Sequence, residues 1–273
     1  MYRGSTPRRR SKILPRLMIA GVFALISIFT YLTSKADNPV TGESQHIAMT
    51  VDQEIALGLQ AAPEMAAQFG GLEPDPQIQA SIDRIGQEIV VESAAEKSPY
   101  QFDFHVLDDD QTINAFALPG GQIFITNGLL KGLNTEAEVA GVLAHEIGHV
   151  VGRHSAEQLA KTQLTQGLTG AAVIAAYDPE NPSSAQAAQM AMLIGQVVNL
   201  KYGREDELES DLLGVCFMND AGYDPHSMLR VMEVLASAGD GQARPPEFFS
   251  THPNPENRME QIQAAIANLD RCP

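Results

Sequence analysis

The pattern of apolar and polar positions divides the chain into a series of helices interrupted once by short strands. An uncharged stretch, LMIAGVFALISIFTYLTS, fills residues 17–34. As a helix rising about 1.5 Å per residue it would extend roughly 27 Å, the short end of a membrane span. Residues 37–49, DNPVTGESQHIAM, have no period and read as a linker. Thr50 opens a helical pattern that closes at the Gly70-Gly71 pair. A second helix is expected from Pro76 to about Glu92, with Ile78, Ile82, Ile85 and Ile89 on one face.

Alternation at Phe102, Phe104 and Val106 then marks a strand, and NAFALPGGQIFIT at 114–126 reads as two short strands joined by a Pro-Gly-Gly turn. A small antiparallel sheet is expected. Thr135 and Glu138, at capping-box spacing, open a central helix with Val139, Val142, Leu143 and Val150 as its buried stripe. Apolar patches at 164–176 and 187–200 flank DPENPSS. Each is too short and too polar to span a bilayer, so they read as a soluble helical hairpin, with interfacial contact as the alternative. The second patch is expected to continue as one helix to Asn219. Gly222 and Pro225 end it, a helix follows from about Ser227 to Ala236, and a Pro-rich loop leads to a last helix ending near Leu269. The pattern predicts an α+β, mostly helical fold: a single domain over 50–273, without internal repeats.

Charge changes the picture at one end. Residues 1–36 carry seven of the 18 basic residues and no acid, which leaves 11 Lys/Arg against 34 Asp/Glu in the remainder, a net of −23. A body this acidic excludes a basic nucleic-acid footprint. Basic residues before the apolar run place the amino terminus in the cytoplasm and the body outside it. The run is read as a signal anchor in the cell membrane (periplasmic body if Gram-negative). The alternative is a signal peptide cleaved near Ser34-Lys35-Ala36, leaving a secreted or periplasmic body. Cys216 and Cys272 can pair in an oxidising compartment, or stay as one buried and one free thiol. Neither has zinc-ligand spacing.

The chemistry lies in AHEIGHVVGRHS, residues 144–155. On a helix His145 and His149 are about 400° apart, so both imidazoles share a face. They can ligate one zinc ion while Glu146 serves as general base. A third ligand is required. If the helix continues, His154 lies about 140° off the ligand face, so it reads as a satisfied surface or outer-sphere histidine. The acidic run GREDELESD at 203–211 offers a better donor. There Glu207 and Asp211 are i and i+4, with Arg204 three residues before Glu207 on the same stripe. Glu207 can complete a His₂Glu set, and Asp211 can accept the free ring N–H of a ligating histidine. Glu205 and Glu209 fall on other faces.

Three ordered motifs, HEIGH, REDELESD and THPNPENR, together with NPVTGESQ and NAFALPGGQIFITNGLL, resemble the gluzincin zinc metallopeptidases that include HtpX, BepA and the CAAX prenyl proteases. The resemblance covers about 38 to 270. It implies a zincin-like metallopeptidase domain with its sheet beside the active-site helix, one zinc ion, Glu207 as third ligand and Asp211 as support. It places His252 near the metal, either stabilising the oxyanion or ligating the metal and holding the site shut, and it adds Arg258 to Arg204 and Asp211 as outer residues. It also implies that the hairpin binds the substrate backbone through Asn114, Ala115, Phe116 and Ala117; the alternative is an ordinary core hairpin. Gly203 and Ser210 depart from the usual Ser and Ala. A thermolysin-type E-x-x-S-D reading also fits 207–211, but 57 residues separate His149 from Glu207. The expected function is a membrane-associated zinc endopeptidase acting on misfolded or damaged envelope and membrane proteins. The alternative is a zinc-bound chaperone or adaptor whose peptidase is normally shut.

Overall fold

Helix α5 (Glu136–Val151) is the axis of the fold, and every residue from Ala140 to Val151 is buried. A helix covered on all sides must have neighbours all round. They are α3 (Pro76–Glu92), α7 (Arg204–Asp220), α8 (Ser227–Gly239) and the sheet strand β4 (Ala115–Leu118). Thr135 begins α5, its side chain accepting from Glu138 N, while Glu138 Oε2 accepts from Asn134 N at 2.6 Å. Leu143 and Ile147 are fully buried, each contributing about 1.5–3 kcal/mol by removal from water.

The computed structural model describes residues 13–176, 202–239, 246–253 and 257–273. The apolar patch expected at 187–200, the DPENPSS connection and the basic residues Arg3 to Lys12 lie outside them. Two compact units divide the chain: residues 1–34 with 159–200, and residues 35–158 with 201–273. In the first, α1 (Ile13–Thr33) is long and apolar enough over Leu14–Thr33 to cross a membrane. Gly167 of α6 (His154–Ala176) lies against Ser27 of α1.

The second unit begins with a correction. Residues 37–49, expected as a linker, include part of an antiparallel hairpin, β1 (Lys35–Asp37) with β2 (Ser44–His46). The turn forms because Asn38 Oδ1 accepts from the backbone N–H of Val40 and Thr41 at 2.9 and 3.1 Å, an Asx turn. Helix α2 (Val51–Gln68) follows with a complete capping box on Thr50 and Gln53.

Strands β3 (Asp103–Leu107), β4 and β5 (Gln122–Thr126) form a sheet of order β3-β5-β4. The β4–β5 hairpin is antiparallel as expected, but β3 runs parallel to β5. The short connection from β3 carries the chain past the next position in the sheet. Strand β4 therefore takes the far place, and the hairpin inserts β5 between them. Gly120 at the hairpin tip has φ +83, and an added Cβ there would lie 2.7 Å from Ile55 N of α2, so glycine is needed for conformation and for space. Helix α4 (Asn127–Leu130) links the sheet to α5.

The long helix expected through 201–219 is also corrected. Helix α7 starts afresh at Arg204, because Gly203 is extended at φ −72, ψ 156 and its N–H donates to Asp206 Oδ2 at 2.8 Å. After α8 come the short α9 (Phe248–Thr251) and then α10 (Arg258–Ile266). Cys216 of α7 and Cys272 form a disulfide, with Cα atoms 5.5 Å apart, that closes a sequence separation of 56. Replacing both cysteines by alanine is expected to remove about 2–4 kcal/mol of stability, read as a lower denaturant midpoint; an unchanged midpoint would show that the tail is held without the cross-link.

Candidate active site

Helices α5 and α7 pack closely along the stretch that holds the candidate ligands. Gly148 makes this possible, since a Cβ there would lie 2.9 Å from Ser210 O and 3.1 Å from Ser210 Cα. Gly148→Ala is expected to force the helices apart at a cost of about 1–3 kcal/mol, with zinc affinity falling in parallel; unchanged affinity would show that the spacing is not critical.

His145 and His149, one helical turn apart on α5, direct their Nε2 atoms toward each other at 3.1 Å. From α7, Glu207 Oε2 lies 3.6 Å from His145 Nε2 and Glu207 Oε1 lies 3.5 Å from His149 Nε2. His252 follows α9, and its Nδ1 is 3.0 Å from Glu207 Oε1. One ligand atom from each of His145, His149, Glu207 and His252 falls within 4.8 Å of all the others. The four residues are 0–4% exposed.

This donor set fits a zinc ion. Two nitrogens each about 2.0–2.1 Å from a tetrahedral ion stand roughly 3.3 Å apart, close to the separation seen here. Both oxygens of Glu146 and Nε2 of His252 are buried without a hydrogen-bond partner among the described residues, a cost usually met by an ion or reacting group. Burial pushes the Glu146 carboxyl above its ordinary value, against the pull of His252 and His145. Burial acts the same way on Glu207, but His252 and His149 outweigh it and hold Glu207 ionised.

Support comes from two directions. Asp211 Oδ1 accepts from His145 Nδ1 at 2.9 Å. Arg258 donates to both Asp211 oxygens, at 2.7 and 2.9 Å, and its Nη1 is 3.1 Å from Glu207 Oε2. Burial works against the Asp211 charge, but Arg258 and His145 pull its pKa below the ordinary value. Arg204 is a correction. It is exposed on the first turn of α7, where a side chain leaning toward the helix N-terminus projects past the helix start. Arg258, in contrast, is buried against Asp211 and Glu207.

Of the two readings of His154, surface or outer-sphere, the second fits. It is 1% exposed, not on the surface. Helix α5 ends at Val151, Arg153 takes φ 57, and α6 begins at His154, so projecting a continuous helix across Gly152 does not apply. His154 stays outside the four-residue ligand group yet stands against His149, its Nδ1 2.9 Å from His149 Nδ1. Glu209, set aside as facing elsewhere, meets His154 Nε2 at 3.1 Å.

Two aromatic residues were not anticipated. Tyr202 stacks on His149 with ring centroids 4.3 Å apart, and Phe248 stacks on His252 at 4.4 Å. Both had a signal in the sequence: Phe248 stands four residues before His252, and Tyr202 directly precedes Gly203. Asn114, Ala115, Phe116 and Ala117 are buried. Ala115–Ala117 pair with β5 along one side, leaving β4 an edge strand among the described residues, and the strand packs on α5.

The sequence matches the model of peptidase family M48 over residues 76–266. A β-barrel assembly-enhancing protease of Yersinia pestis is 31% identical over 228 residues, covering 82% of this chain and 46% of that protein. Its Escherichia coli K12 counterpart is 29% identical over 263 residues, covering 90% and 51%. The mitochondrial metalloendopeptidase OMA1 of Schizosaccharomyces pombe is 29% identical over 235 residues, covering 85% and 67%. The chain spans about half the length of the β-barrel assembly-enhancing proteases it matches.

Proposed function

Because this chain belongs to peptidase family M48, we propose that it is a zinc-dependent endopeptidase, anchored in a membrane, that cleaves unfolded or misassembled membrane and envelope proteins. The observation that carries this reading is the buried convergence of His145, His149 and Glu207 beside a Glu146 carboxylate without a hydrogen bond among the described residues. Zinc held there would polarise the scissile carbonyl and make a water nucleophilic near neutral pH.

The chain's own residues supply the rest. Glu146 accepts the proton of the attacking water and delivers it to the leaving amine nitrogen, a role its raised pKa suits. Asp211 keeps the proton of His145 on Nδ1 and so leaves Nε2 free to donate its lone pair. Arg258 holds Asp211 and Glu207 in register. His252, with Nε2 3.6 Å from Glu146 Oε1, is placed to stabilise negative charge on the tetrahedral intermediate.

Substrate backbone would add to the sheet at Asn114–Ala117, giving affinity with little sequence preference. The opposite edge is blocked. Gln79 of α3 donates to Phe104 O at 2.8 Å and accepts from Val106 N at 3.0 Å, and Gln87 donates to Phe102 O at 2.8 Å. With β3 sealed by side chains, β4 is the edge left for pairing among the described residues.

The apolar α1 and the basic residues before it favour an anchored chain with the catalytic unit on the extracytoplasmic side. The name of the β-barrel assembly-enhancing relatives points to unassembled β-barrel proteins as one substrate class. Cleavage of an unfolded protein by the purified full chain tests the reading: a chelator should abolish it and added zinc restore it. Cleavage indifferent to chelation would remove the metal from the mechanism.

A second reading, a zinc-bound clamp whose peptidase is shut, is favoured by the presence of His252 in the ligand group. If His252 closes the site, His252→Ala raises basal cleavage by the reciprocal of the open fraction. A fall instead would assign His252 to the oxyanion.

A further inference from the structure

His154 has no place in the chemistry so far, yet it is buried and partnered at both ring nitrogens. Its Nδ1 is 2.9 Å from His149 Nδ1, and its Nε2 is 3.1 Å from Glu209 Oε2. Ser210 Oγ lies 3.2 Å from the same Nδ1, so the serine that departs from the usual alanine has a partner. Proton positions along this row follow from the chemistry of imidazole. A neutral ring that offers Nε2 to a metal carries its proton on Nδ1. His149 must therefore donate from Nδ1, His154 must accept at Nδ1, and the single proton of His154 must sit on Nε2, where it donates to Glu209.

The turn that delivers His154 is held from outside the two helices. Asn38 Nδ2 donates to Val151 O at 2.8 Å, Gln45 Nε2 donates to Gly152 O, and Arg153 donates to Glu54. Asn38, Gln45 and Glu54 are 2–4% exposed. These bonds stabilise the positive φ of Arg153, which a non-glycine residue adopts only at a cost. Without that reversal His154 could not turn back onto His149.

We propose that His154 and Glu209 are positioning residues: a two-step hydrogen-bond chain, His149 to His154 to Glu209, that fixes the tautomer and ring orientation of His149 for zinc. The proposal rests on the reading of the site as a zinc centre. It gives the two histidines of α5 different supports. Nδ1 of His145 meets the carboxylate of Asp211 directly, whereas Nδ1 of His149 reaches the carboxylate of Glu209 through a second imidazole.

The test is zinc affinity of the full chain, measured by competition with a chromogenic chelator. His154→Phe, which keeps the ring volume but can neither accept nor donate, should weaken zinc binding about 10–100-fold. His154→Gln, able to accept through Oε1 and donate through Nε2, should recover most of the loss, and Glu209→Gln should fall between. Selective ¹⁵N-histidine NMR of the zinc-loaded wild type needs no substitution and should show His154 protonated on Nε2 alone. Equal affinity in wild type and His154→Phe, no recovery in a folded His154→Gln, or a proton on Nδ1 of His154 would each overturn the chain. A wild type without zinc affinity would overturn the reading of the site itself, and the positioning role with it.

Discussion

Glu146→Gln should bind zinc as the wild type does and lose cleavage of an unfolded protein by about 10²–10⁴-fold, the usual contribution of a positioned general base. The substitution is nearly isosteric, so the packing of α5 is kept. It removes no structural hydrogen bond, because both Glu146 oxygens lack a hydrogen-bond partner among the described residues. Glu146 lies outside the ligand group, so metal content has no reason to change. Stability should hold or rise, since an ionised carboxylate in this buried position costs more than a neutral amide. Thermal unfolding of the variant against wild type checks that point independently of activity. Cleavage retained at wild-type rates would take the proton-transfer role away from Glu146.

Glu207→Ala should strip most of the zinc and take cleavage to background. Its carboxylate faces three imidazole nitrogens at once: Nε2 of His145, Nε2 of His149 and Nδ1 of His252. Removing it leaves two imidazoles of the His₂Glu set and frees Arg258 Nη1 from an ion pair of 3.1 Å. The loss should exceed the 10–100-fold attached to an outer partner, so the contrast with His154→Ala is informative. The His154 variant should stay largely loaded when zinc is in excess, while Glu207→Ala should not. Glu205→Ala, two residues earlier and exposed, should change neither zinc nor cleavage. The reverse order, with His154→Ala metal-free and Glu207→Ala loaded, would move the third ligand to the end of α5.

Much of this site can be read along the chain because its parts obey short-range rules. Two histidines at i and i+4 share a helix face, as do Glu207 and Asp211. Pro76 with Ile82, Ile85 and Ile89 marks a helix whose bounds are local. What escaped was set by contacts distant in sequence. The reversal between α5 and α6 falls at Arg153, a good helix former, and Gly152 before it keeps a helical φ of −67. Asn38, Gln45 and Glu54, about a hundred positions away, help to hold the break open. Helix angles carried through that break keep His154 off the metal, in agreement with the ligand group, but hide its burial and its contact with Glu209.

Arg204 failed for a different reason. The stripe it shares with Glu207 is real, but a first-turn side chain has no preceding turn to lie against. Arg258, 51 positions beyond Glu207, takes its place. The hairpin at β1 and β2 was invisible because its strands are three residues each, too short for an alternation to register. The parallel pairing of β3 with β5 is a property of topology, which alternation within a strand cannot report.

The central claim is that one zinc, held by His145, His149 and Glu207, works with Glu146 to hydrolyse peptide bonds. Its most direct test is zinc content and unfolded-protein cleavage measured on the same preparations of wild type and Glu146→Gln. The account predicts equal zinc in both, about one ion per chain, with cleavage in wild type alone. Cleavage by Glu146→Gln, or by wild type freed of metal, would contradict it.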